Sequence, residues 1–361
     1  MTAAPVEAPE RALPPQLRPE VAVNAAPLQS PMVGVPRYLQ ELLPHVPGLA
    51  LLRPEAAARR IRGGYLCWEQ VVLPTQLRGR LLWSPGGTGP LVVRHQVVTI
   101  HDVVALEFPE WVERHLGAWY RYLVPRLVRS SRHVVAISAF TRSRLLALTG
   151  VAPSRVTVVL HGVDPRFRPQ PGAEVLRVRT AAGLSANPYI LAVGTREPRK
   201  NLARLFAAWE AVQSRFPEVE LVIAGMQGSR RDFGRQAPER LPARTRLLGH
   251  VADADLPSLY SGAQAFAYPS MYEGFGKPPL EAMACGVPVI AGNRTAIPEI
   301  VGGAGLLVEP EDVAAIAGAL ARLLASRDLR TELSARGLAR AAQFRWCGAA
   351  AATRAILDRY R

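Results

Sequence analysis

The sequence predicts an α/β fold of two domains, each built around a mostly parallel sheet. Its 361 residues are the length of about two domains, and a segment with three prolines at residues 164–172 divides the chain into similar halves. In both halves, short apolar segments that end near Gly or Pro alternate with helical segments, which is typical of βαβ units. Apolar residues make up 49% of the chain and charged residues 20%, so extensive disorder is excluded.

A proline-rich tail precedes the first predicted domain. Residues 1–20 contain five prolines and no apolar run, so we expect a disordered tail that is not a signal peptide. The first domain is predicted over residues 21–163, where strands and helices alternate. They are strands at residues 20–27, 97–104, 132–138 and 155–162, and helices that begin near Arg37 and at residue 141, the second closed by Gly150.

The second domain is predicted over residues 173–342, after a linker at 164–172. Its segments are strands at residues 187–194, 219–225, 245–251, 264–270 and 287–292, and helices at 201–216, 256–263 and 277–286. Apolar spacing predicts a last helix within residues 343–361. Open α/β sheets bind ligands beyond the carboxyl ends of their strands, and pockets form between domains. We therefore expect the active site in a cleft between the two halves.

The chain is strongly basic, with a net charge of +15. All but two of its 44 basic residues are arginine, and the exceptions are Lys200 and Lys277. A basic surface favours anionic partners such as a phosphate-bearing substrate or a lipid headgroup. An Arg-rich, Lys-poor composition is also what a GC-rich genome produces, so the charge is weak support for a nucleic-acid partner.

Cysteine usage and hydropathy indicate the compartment. Cys67, Cys285 and Cys347 stand far apart and form no C-x-x-C pair, so we expect reduced thiols in a cytoplasmic protein. The sequence contains no run of 18 apolar residues, so no transmembrane helix is predicted. Residues 111–133 interleave aromatic residues with arginines. They predict either a packed helix with a basic outer face, broken near Pro125, or a helix that contacts an anionic membrane.

Two carboxylates eight residues apart form the first candidate site. Glu273 precedes the turn Gly-Phe-Gly, and Glu281 lies about one turn inside the helix that follows. The turn lets backbone N–H groups face a polar or anionic ligand, and the helix N-terminus adds positive potential. Glu281 could accept two hydrogen bonds from the vicinal hydroxyls of a ribose. The alternative is a capping pair on a surface helix.

A basic strand–helix junction forms the second candidate site. Arg196, Arg199 and Lys200 crowd the segment between the strand at 187–194 and the following helix. A diphosphate at such a junction would be neutralised by the side chains and by the helix end together. The alternative is a solvated basic loop.

The third candidate is the dipeptide His101-Asp102 at the end of a predicted strand. At a cleft it could hydrogen-bond a sugar hydroxyl or share a proton, and the alternative is a structural histidine. The sequence contains no G-x-G-x-x-G, P-loop, H-E-x-x-H or G-x-S-x-G motif. The lack of a carboxylate–histidine cluster with ligand spacing argues against a tightly held divalent metal.

From about residue 21 onward, the chain resembles the bacterial family 4 retaining glycosyltransferases of GT-B fold and is mannosyltransferase-like. The resemblance rests on segments that occur in the family's order: GVPRY (34–38), TIHDV (99–103), AISAFTRSRL (136–145), LHGVDPRF (160–167), VGTREPRKNL (193–202), LLGHV (247–251), AYPSMYEGFGKPPLEAMACGVPVI (267–290) and FRW (344–346). It implies two Rossmann-like domains with parallel sheets facing a central cleft. It also implies that the last helix crosses back onto the first domain.

The resemblance implies roles for the donor's diphosphate and ribose. Arg196 and Lys200 would bind the diphosphate, and Glu281 would hold the ribose. Gly34 would lie in the loop that faces the diphosphate. That loop is often glycine-rich in the family, whereas Gly34 is its one glycine here.

The resemblance also implies how the donor sugar is held. Glu273 and the backbone amides of the Gly274, Phe275 and Gly276 turn would bind the sugar hydroxyls. His101 would contact the sugar near the reacting carbon. Transfer would retain the anomeric configuration and need neither metal nor cofactor.

The expected activity is transfer of a hexose from a nucleotide-diphosphate sugar to a lipid-linked or polysaccharide acceptor. GDP-mannose is the expected donor and a UDP-sugar the next candidate. Apart from Asp102, a candidate acceptor base or proton relay, the sequence shows no residue that would serve as a dedicated inverting base. Front-face displacement is therefore favoured. The alternatives are a nucleotide-sugar epimerase or phosphorylase on the same fold, and a non-enzymatic nucleic-acid-binding protein. The dispersed arginines argue against the last, since a groove would cluster them with aromatics. A contact with the inner face of the membrane through the basic first domain is also expected.

Overall fold

The computed structural model describes residues 21–29, 34–55, 63–184, 186–194, 197–225 and 241–361. The predicted tail at 1–20 and Arg196 lie outside the described residues.

Two parallel sheets organise the chain. The first contains, in chain order, β1 (Val21–Asn24), β2 (Leu49–Leu52), β3 (Leu81–Ser84), β4 (Gln96–Ile100), β5 (His133–Ala136) and β6 (Val156–Val158). The second contains β7 (Tyr189–Val193), β8 (Glu220–Ala224), β9 (Thr245–Gly249), β10 (Ala265–Tyr268), β11 (Val289–Gly292) and β12 (Gly305–Val308). Their spatial orders are β2-β1-β3-β4-β5-β6 and β12-β11-β10-β7-β8-β9.

Helices follow the strands of the first sheet. They are α1 (Val35–Leu42), α2 (Gly64–Cys67), α3 (Leu73–Gln76), α4 (Val104–Glu107), α5 (Arg114–Ser130) and α6 (Ala139–Thr149), with a π-helical turn, Trp68–Val72, between α2 and α3. Ser138 caps α6, because its Oγ accepts a hydrogen bond from the Thr141 N–H, and Gly150 ends the helix in the left-handed conformation.

Helices of the second domain cover both faces of its sheet. They are α7 (Gly172–Ala181), α8 (Leu202–Val212), α9 (Leu256–Ser261), α10 (Lys277–Ala284), α11 (Ile297–Val301), α12 (Val313–Ala325) and α13 (Arg327–Ala341), followed by α14 (Trp346–Tyr360). α8 and α12 pack on one face, while α9, α10 and α11 pack on the other. Burial on both faces explains why these strands are almost continuously apolar.

The last helix belongs to the core of the first domain. Trp346 and Leu357 of α14 are buried in the same apolar cluster as Leu39 of α1 and Trp83 of β3. Gly162, which follows β6, permits this crossing, because a Cβ there would lie 2.4 Å from the Trp346 backbone nitrogen. α14 therefore packs on the first domain although it follows the second domain in the chain.

The two parallel sheets confirm the predicted α/β class, and the structure also corrects several details. β2, β3 and β12 were not predicted as strands. β2 and β12 are sheet edges that are only partly buried, and their leucine and glycine residues carry little β propensity. α5 does not break near Pro125, since Val124 and Leu127 on either side of that residue are buried and hold the helix against the sheet.

Candidate active site

Glu273 lies in the loop after β10 and collects hydrogen bonds from neighbouring segments. Its Oε1 accepts hydrogen bonds from Lys200 Nζ at 2.7 Å, Tyr268 Oη at 2.8 Å and Ser270 Oγ at 2.7 Å. Its Oε2 accepts one from Arg199 Nη1 at 3.0 Å. The acidic candidate and the basic junction after β7 therefore form one cluster at the carboxyl ends of adjacent strands.

The electrostatics of this cluster keep Glu273 ionised. The side chain is 8% exposed, and burial alone would raise its pKa. The positive charges of Lys200 and Arg199 outweigh burial and lower the pKa to about 2. Arg199 also pairs with Glu197, so a single guanidinium bridges two carboxylates.

The turn after Glu273 presents backbone donors to the cleft. The N–H groups of Gly274, Phe275 and Gly276 have no hydrogen-bond partner among the described residues. Gly276 has φ +111°, a conformation that favours glycine, and α10 begins at the next residue. Free N–H groups next to a helix N-terminus are a ready site for an oxygen ligand of negative or partial negative charge.

His101 and Asp102 lie against this turn from the first domain. A Cβ on Gly274 would be 1.9 Å from the His101 carbonyl oxygen and 2.9 Å from the Asp102 Cβ. His101 Nε2 donates a hydrogen bond of 2.7 Å to the Pro85 carbonyl oxygen. Burial lowers the His101 pKa to about 4, so the ring is neutral near pH 7 and Nδ1 is left as an acceptor.

Glu281 is buried on α10 and faces the first domain. Its Oε2 accepts a hydrogen bond from Tyr260 Oη at 3.1 Å, and Arg37 Nη1 of α1 lies 3.6 Å from Oε1. Burial raises the Glu281 pKa, although Arg37 and Lys277 lower it in part. Lys277 itself pairs with Glu41 of α1 at 3.0 Å. Ion pairs thus cross the cleft at this end.

Gly34 immediately precedes α1 and has φ +65°, which favours glycine. Because Arg37 lies in the first turn of the same helix and meets Glu281, the start of α1 faces the second domain at the cleft. Residues 30–33, which precede Gly34, are outside the described residues.

The structure thus brings most of the sequence candidates to one cleft. Glu273 meets Lys200, the turn at 274–276 meets His101 and Asp102, and the helix that carries Glu281 meets the helix that follows Gly34. Arg196, predicted beside Lys200, is outside the described residues. The sequence placed Arg199 in the junction but did not mark it as a site residue, although in the part of the chain that the structure describes Arg199 contacts Glu273.

Sequence reasoning also missed the partners from the first domain. Arg37 and Glu41 are spaced i, i+4 on α1, which reads as an ordinary helix-surface pair and gave no functional signal. Ser138 and Thr141 read as the start of a helix, and only the fold shows that they contact Gly274.

Within the ranges given above, no helix is both long enough and apolar enough to cross a bilayer. In the same part of the chain, no three His, Cys, Asp or Glu side chains are grouped as a metal site would require.

Comparison with known proteins identifies both halves of the chain. Residues 82–167 match the family described as Glycosyltransferase Family 4, and residues 180–340 match the family described as Glycosyl transferases group 1. O-antigen chain mannosyltransferase B of Escherichia coli is 36% identical over 263 residues, which are 71% of this chain and 68% of that protein. MMP alpha-(1->4)-mannosyltransferase of Mycolicibacterium hassiacum is 31% identical over 75% of this chain and 65% of its own length.

A longer relative matches only in part. Serotype-specific mannosyltransferase WbdA of Escherichia coli is 30% identical over 265 residues, which are 70% of this chain and 32% of WbdA. This chain therefore spans about a third of that protein's length.

Solved structures show the same architecture. WaaG, a glycosyltransferase involved in lipopolysaccharide biosynthesis, superposes with a TM-score of 0.72 at 16% identity over 93% of this chain and 99% of its own. Anabaena HepE in complex with UDP and glucose gives a TM-score of 0.72 at 17% identity over 94% and 99%. At this identity the likeness shows the fold, which is GT-B. The chain therefore belongs to glycosyltransferase family 4, as a GT-B glycosyltransferase whose relatives include O-antigen mannosyltransferases.

Proposed function

We propose that this glycosyltransferase moves a hexose from a nucleotide-diphosphate sugar to a saccharide acceptor with retention of configuration, using no metal and no cofactor. The observation that carries the proposal is the ionised Glu273, held by Lys200 and Arg199 beside the free N–H groups of the turn at 274–276. The cluster therefore contains cations that could bind a leaving diphosphate. It also contains a carboxylate and backbone N–H groups that could hydrogen-bond a sugar.

Positive charge in this cluster would stabilise the leaving diphosphate. Lys200 and Arg199 are within hydrogen-bond distance of Glu273, so a phosphate bound beside that carboxylate would be close to both cations. Arg196 would add a third cation from the same loop. Preorganised donors of this kind contribute several kcal/mol to transition-state stabilisation in other enzymes. They would supply the charge that a metal ion supplies elsewhere.

The remaining candidates would hold the sugar and the ribose. Glu273 Oε2, with one described donor, has room to accept a sugar hydroxyl, and the N–H groups of Phe275 and Gly276 would donate to others. His101 Nδ1 would accept a hydrogen bond from a sugar hydroxyl near the reacting carbon. Glu281 would accept hydrogen bonds from the two ribose hydroxyls. Its carboxylate would then be shared between the ribose and Arg37.

The reaction would proceed on one face of the sugar. The bond from C1 to the diphosphate oxygen breaks, and a bond from C1 to the acceptor oxygen forms on the same face. The acceptor proton passes to the departing diphosphate oxygen, on which negative charge develops as the bond from C1 breaks. Asp102 is exposed beside Gly274 and would assist by orienting the acceptor hydroxyl.

Mannose is the proposed sugar and GDP-mannose the proposed donor. The named relatives O-antigen chain mannosyltransferase B and WbdA support this choice, and the HepE complex with UDP and glucose makes a UDP-sugar the next candidate. The O-antigen relatives also support a lipid-linked or polysaccharide acceptor.

Donor and reaction can be tested together. The purified chain would be screened by thermal shift against GDP-, UDP-, ADP- and dTDP-sugars, because a ligand that binds only the native state raises the apparent Tm. The stabilising donor, radiolabelled, would then be incubated with and without a mannose-containing acceptor, in buffer with and without EDTA. We expect an α-linked product, by NMR, in both buffers. Sensitivity to EDTA would contradict metal independence, and conversion of the donor without acceptor would favour an epimerase.

We also propose that α5 places the enzyme against the inner face of an anionic membrane, where a lipid-linked acceptor would lie. Leu116 and Tyr122 of α5 are 46% and 49% exposed, and they alternate with exposed arginines at positions 114, 121, 126 and 129. An exposed helix face of apolar and cationic residues is suited to the interface of anionic lipids. Flotation with vesicles of phosphatidylglycerol should recover the chain, and Arg121→Glu with Arg126→Glu should abolish recovery. Equal recovery on phosphatidylcholine would contradict the proposal.

A further inference from the structure

We propose that Glu299, Ser138 and Thr141 are positioning residues that hold the sugar-binding turn at 274–276 in register with His101. The inference rests on the proposed function and adds residues to which no role has been given. All three lie outside the cluster around Glu273, and they meet where the start of α6 touches the second domain.

The start of α6 holds the turn through its carbonyl. Ser138 Oγ donates a hydrogen bond of 2.7 Å to the Gly274 carbonyl oxygen, and Thr141 Oγ1 donates one of 3.2 Å to the same atom. Both hydroxyl side chains are fully buried. These two bonds fix the Gly274 carbonyl toward α6, and with it the orientation of the peptide unit whose N–H belongs to Phe275.

Glu299 of α11 holds the same helix start from the other side. Its carboxylate accepts the Ala139 N–H at 2.8 and 3.0 Å and the Phe140 N–H at 3.4 Å. These are unpaired donors of the first turn of α6, where the helix dipole also favours a negative charge. A helix of the first domain is therefore capped by a carboxylate of the second.

Glu299 is itself rigidly tied to the sugar-binding turn. The Glu273 N–H donates to Thr295 Oγ1 at 3.1 Å, and the Ala296 N–H donates to the Glu273 carbonyl oxygen at 3.4 Å. α11 begins at the next residue, and Arg340 donates to the Glu299 carbonyl oxygen at 2.6 Å. The turn and Glu299 are thus connected, and the start of α6 contacts them at two points, the Gly274 carbonyl oxygen and the Glu299 carboxylate.

This geometry predicts what each group contributes. His101 immediately follows β4 and Ser138 follows β5, and these strands are neighbours in one sheet. When α6 holds the turn, the distance between the turn and His101 is fixed by that sheet. Loss of these contacts between α6 and the second domain would leave the nucleotide site of that domain intact. It would misplace the sugar relative to His101. A small misplacement of reacting groups lowers kcat more than it weakens binding.

The test compares matched variants for kcat and for the Kd of the nucleotide diphosphate. Thr141→Val removes the hydroxyl and Thr141→Ser keeps it, while Glu299→Gln removes the charge and keeps the shape. Glu311→Gln is the control, because Glu311 is an exposed partner of Arg294 on the same domain. We expect Thr141→Val and Glu299→Gln to lower kcat about ten-fold or more, with Kd changed less than about two-fold. Thr141→Ser and Glu311→Gln should resemble the wild type.

A second measurement separates positioning from folding. Small-angle scattering of the nucleotide-bound enzyme should show a larger radius of gyration for Glu299→Gln than for the wild type, at unchanged melting cooperativity. Equal kcat in all variants, or a fall in kcat with unchanged scattering and equally weakened nucleotide binding, would overturn the inference. Absence of transfer by the wild type with every donor would instead contradict the proposed function.

Discussion

Arg37 of the first domain and Glu281 of the second face each other across the cleft, with Arg37 Nη1 3.6 Å from Glu281 Oε1. The carboxylate proposed to hold the ribose is thus neutralised by a cation from the opposite domain. Nucleotide binding would have to rearrange this contact, which links the two domains to the occupancy of the site.

Replacement of Arg37 should shift the pH dependence of nucleotide binding to higher pH. Burial raises the Glu281 pKa and Arg37 opposes this, so Arg37→Met should raise that pKa further. The ionised form accepts the ribose hydroxyls, so affinity is lost as pH falls through the raised pKa. Titration calorimetry from pH 5 to 8 should show the midpoint move upward, whereas Glu281→Gln should weaken binding at every pH. An unchanged midpoint in Arg37→Met would contradict the assignment.

Removal of Lys200 should destabilise the second domain. Glu273 would be left buried with one cation fewer, and breaking a buried ion pair from one side costs about 3–5 kcal/mol. Urea unfolding of Lys200→Met should show this loss, and Glu273→Gln in the same chain should recover part of it. Arg336→Met is the control, since its exposed pair with Glu332 should contribute about 0–1 kcal/mol. Transfer activity should be lost in both Lys200 variants, with or without recovered stability.

The free energy of unfolding should fall in acid partly through Glu273. Its pKa is about 2 in the folded chain against an ordinary value of 4.5, so the unfolded chain binds the proton more tightly. The stabilisation is therefore complete above pH 4.5 and is lost as pH falls toward 2. Unfolding at pH 5, 4 and 3 should give a steeper decline for the wild type than for Glu273→Gln. Parallel declines would show that this carboxylate is not held ionised.

His101 should act as a neutral ring. Its pKa is about 4 in the folded chain, so the ring stays unprotonated from neutral pH down to mildly acidic conditions. His101→Phe keeps an aromatic ring and removes the acceptor, and we expect kcat to fall about ten- to a hundred-fold with nucleotide Kd unchanged. Single-turnover rates at saturating donor would measure this. A variant at wild-type rate would remove His101 from the sugar site.

A side chain at position 274 should separate the domains. A Cβ there would overlap the His101 carbonyl oxygen at 1.9 Å, and neither backbone can move without opening the cleft. Gly274→Ala should therefore abolish transfer while the second domain still binds nucleotide. Gly318→Ala, on a helix with open space around the Cβ, is the matched control and should retain activity. Retained activity in Gly274→Ala would mean that transfer does not need this contact.

The fold was predictable because its signals are local. Apolar segments with glycine at their ends mark buried parallel strands, and the strand at 265–268 was found in this way. Edge strands were harder to predict, since β2 and β12 bury only part of their surface and consist mainly of leucine, alanine and glycine. The predicted break near Pro125 was wrong, because the burial of Val124 and Leu127 holds the helix against the sheet, and the sequence around a proline does not show such packing.

The site was predictable on the second domain and less so on the first. Glu273 and Lys200 belong to compact motifs in which charge, glycine and a helix start occur together. Arg37, Ser138 and Glu299 act through contacts between residues more than 100 positions apart, and local sequence carries no record of such a contact. The fold had to bring them together first.

The crossing of α14 onto the first domain has a consequence for synthesis on the ribosome. Trp346 and Leu357 fill a hydrophobic layer that also contains Leu39 and Trp83, so that layer stays incomplete until residues 346–357 have emerged from the ribosome. Part of the hydrophobic core of the amino-terminal lobe therefore stays exposed to solvent while the second lobe is translated and folds. The two lobes of this enzyme therefore cannot mature independently in the order in which they are made.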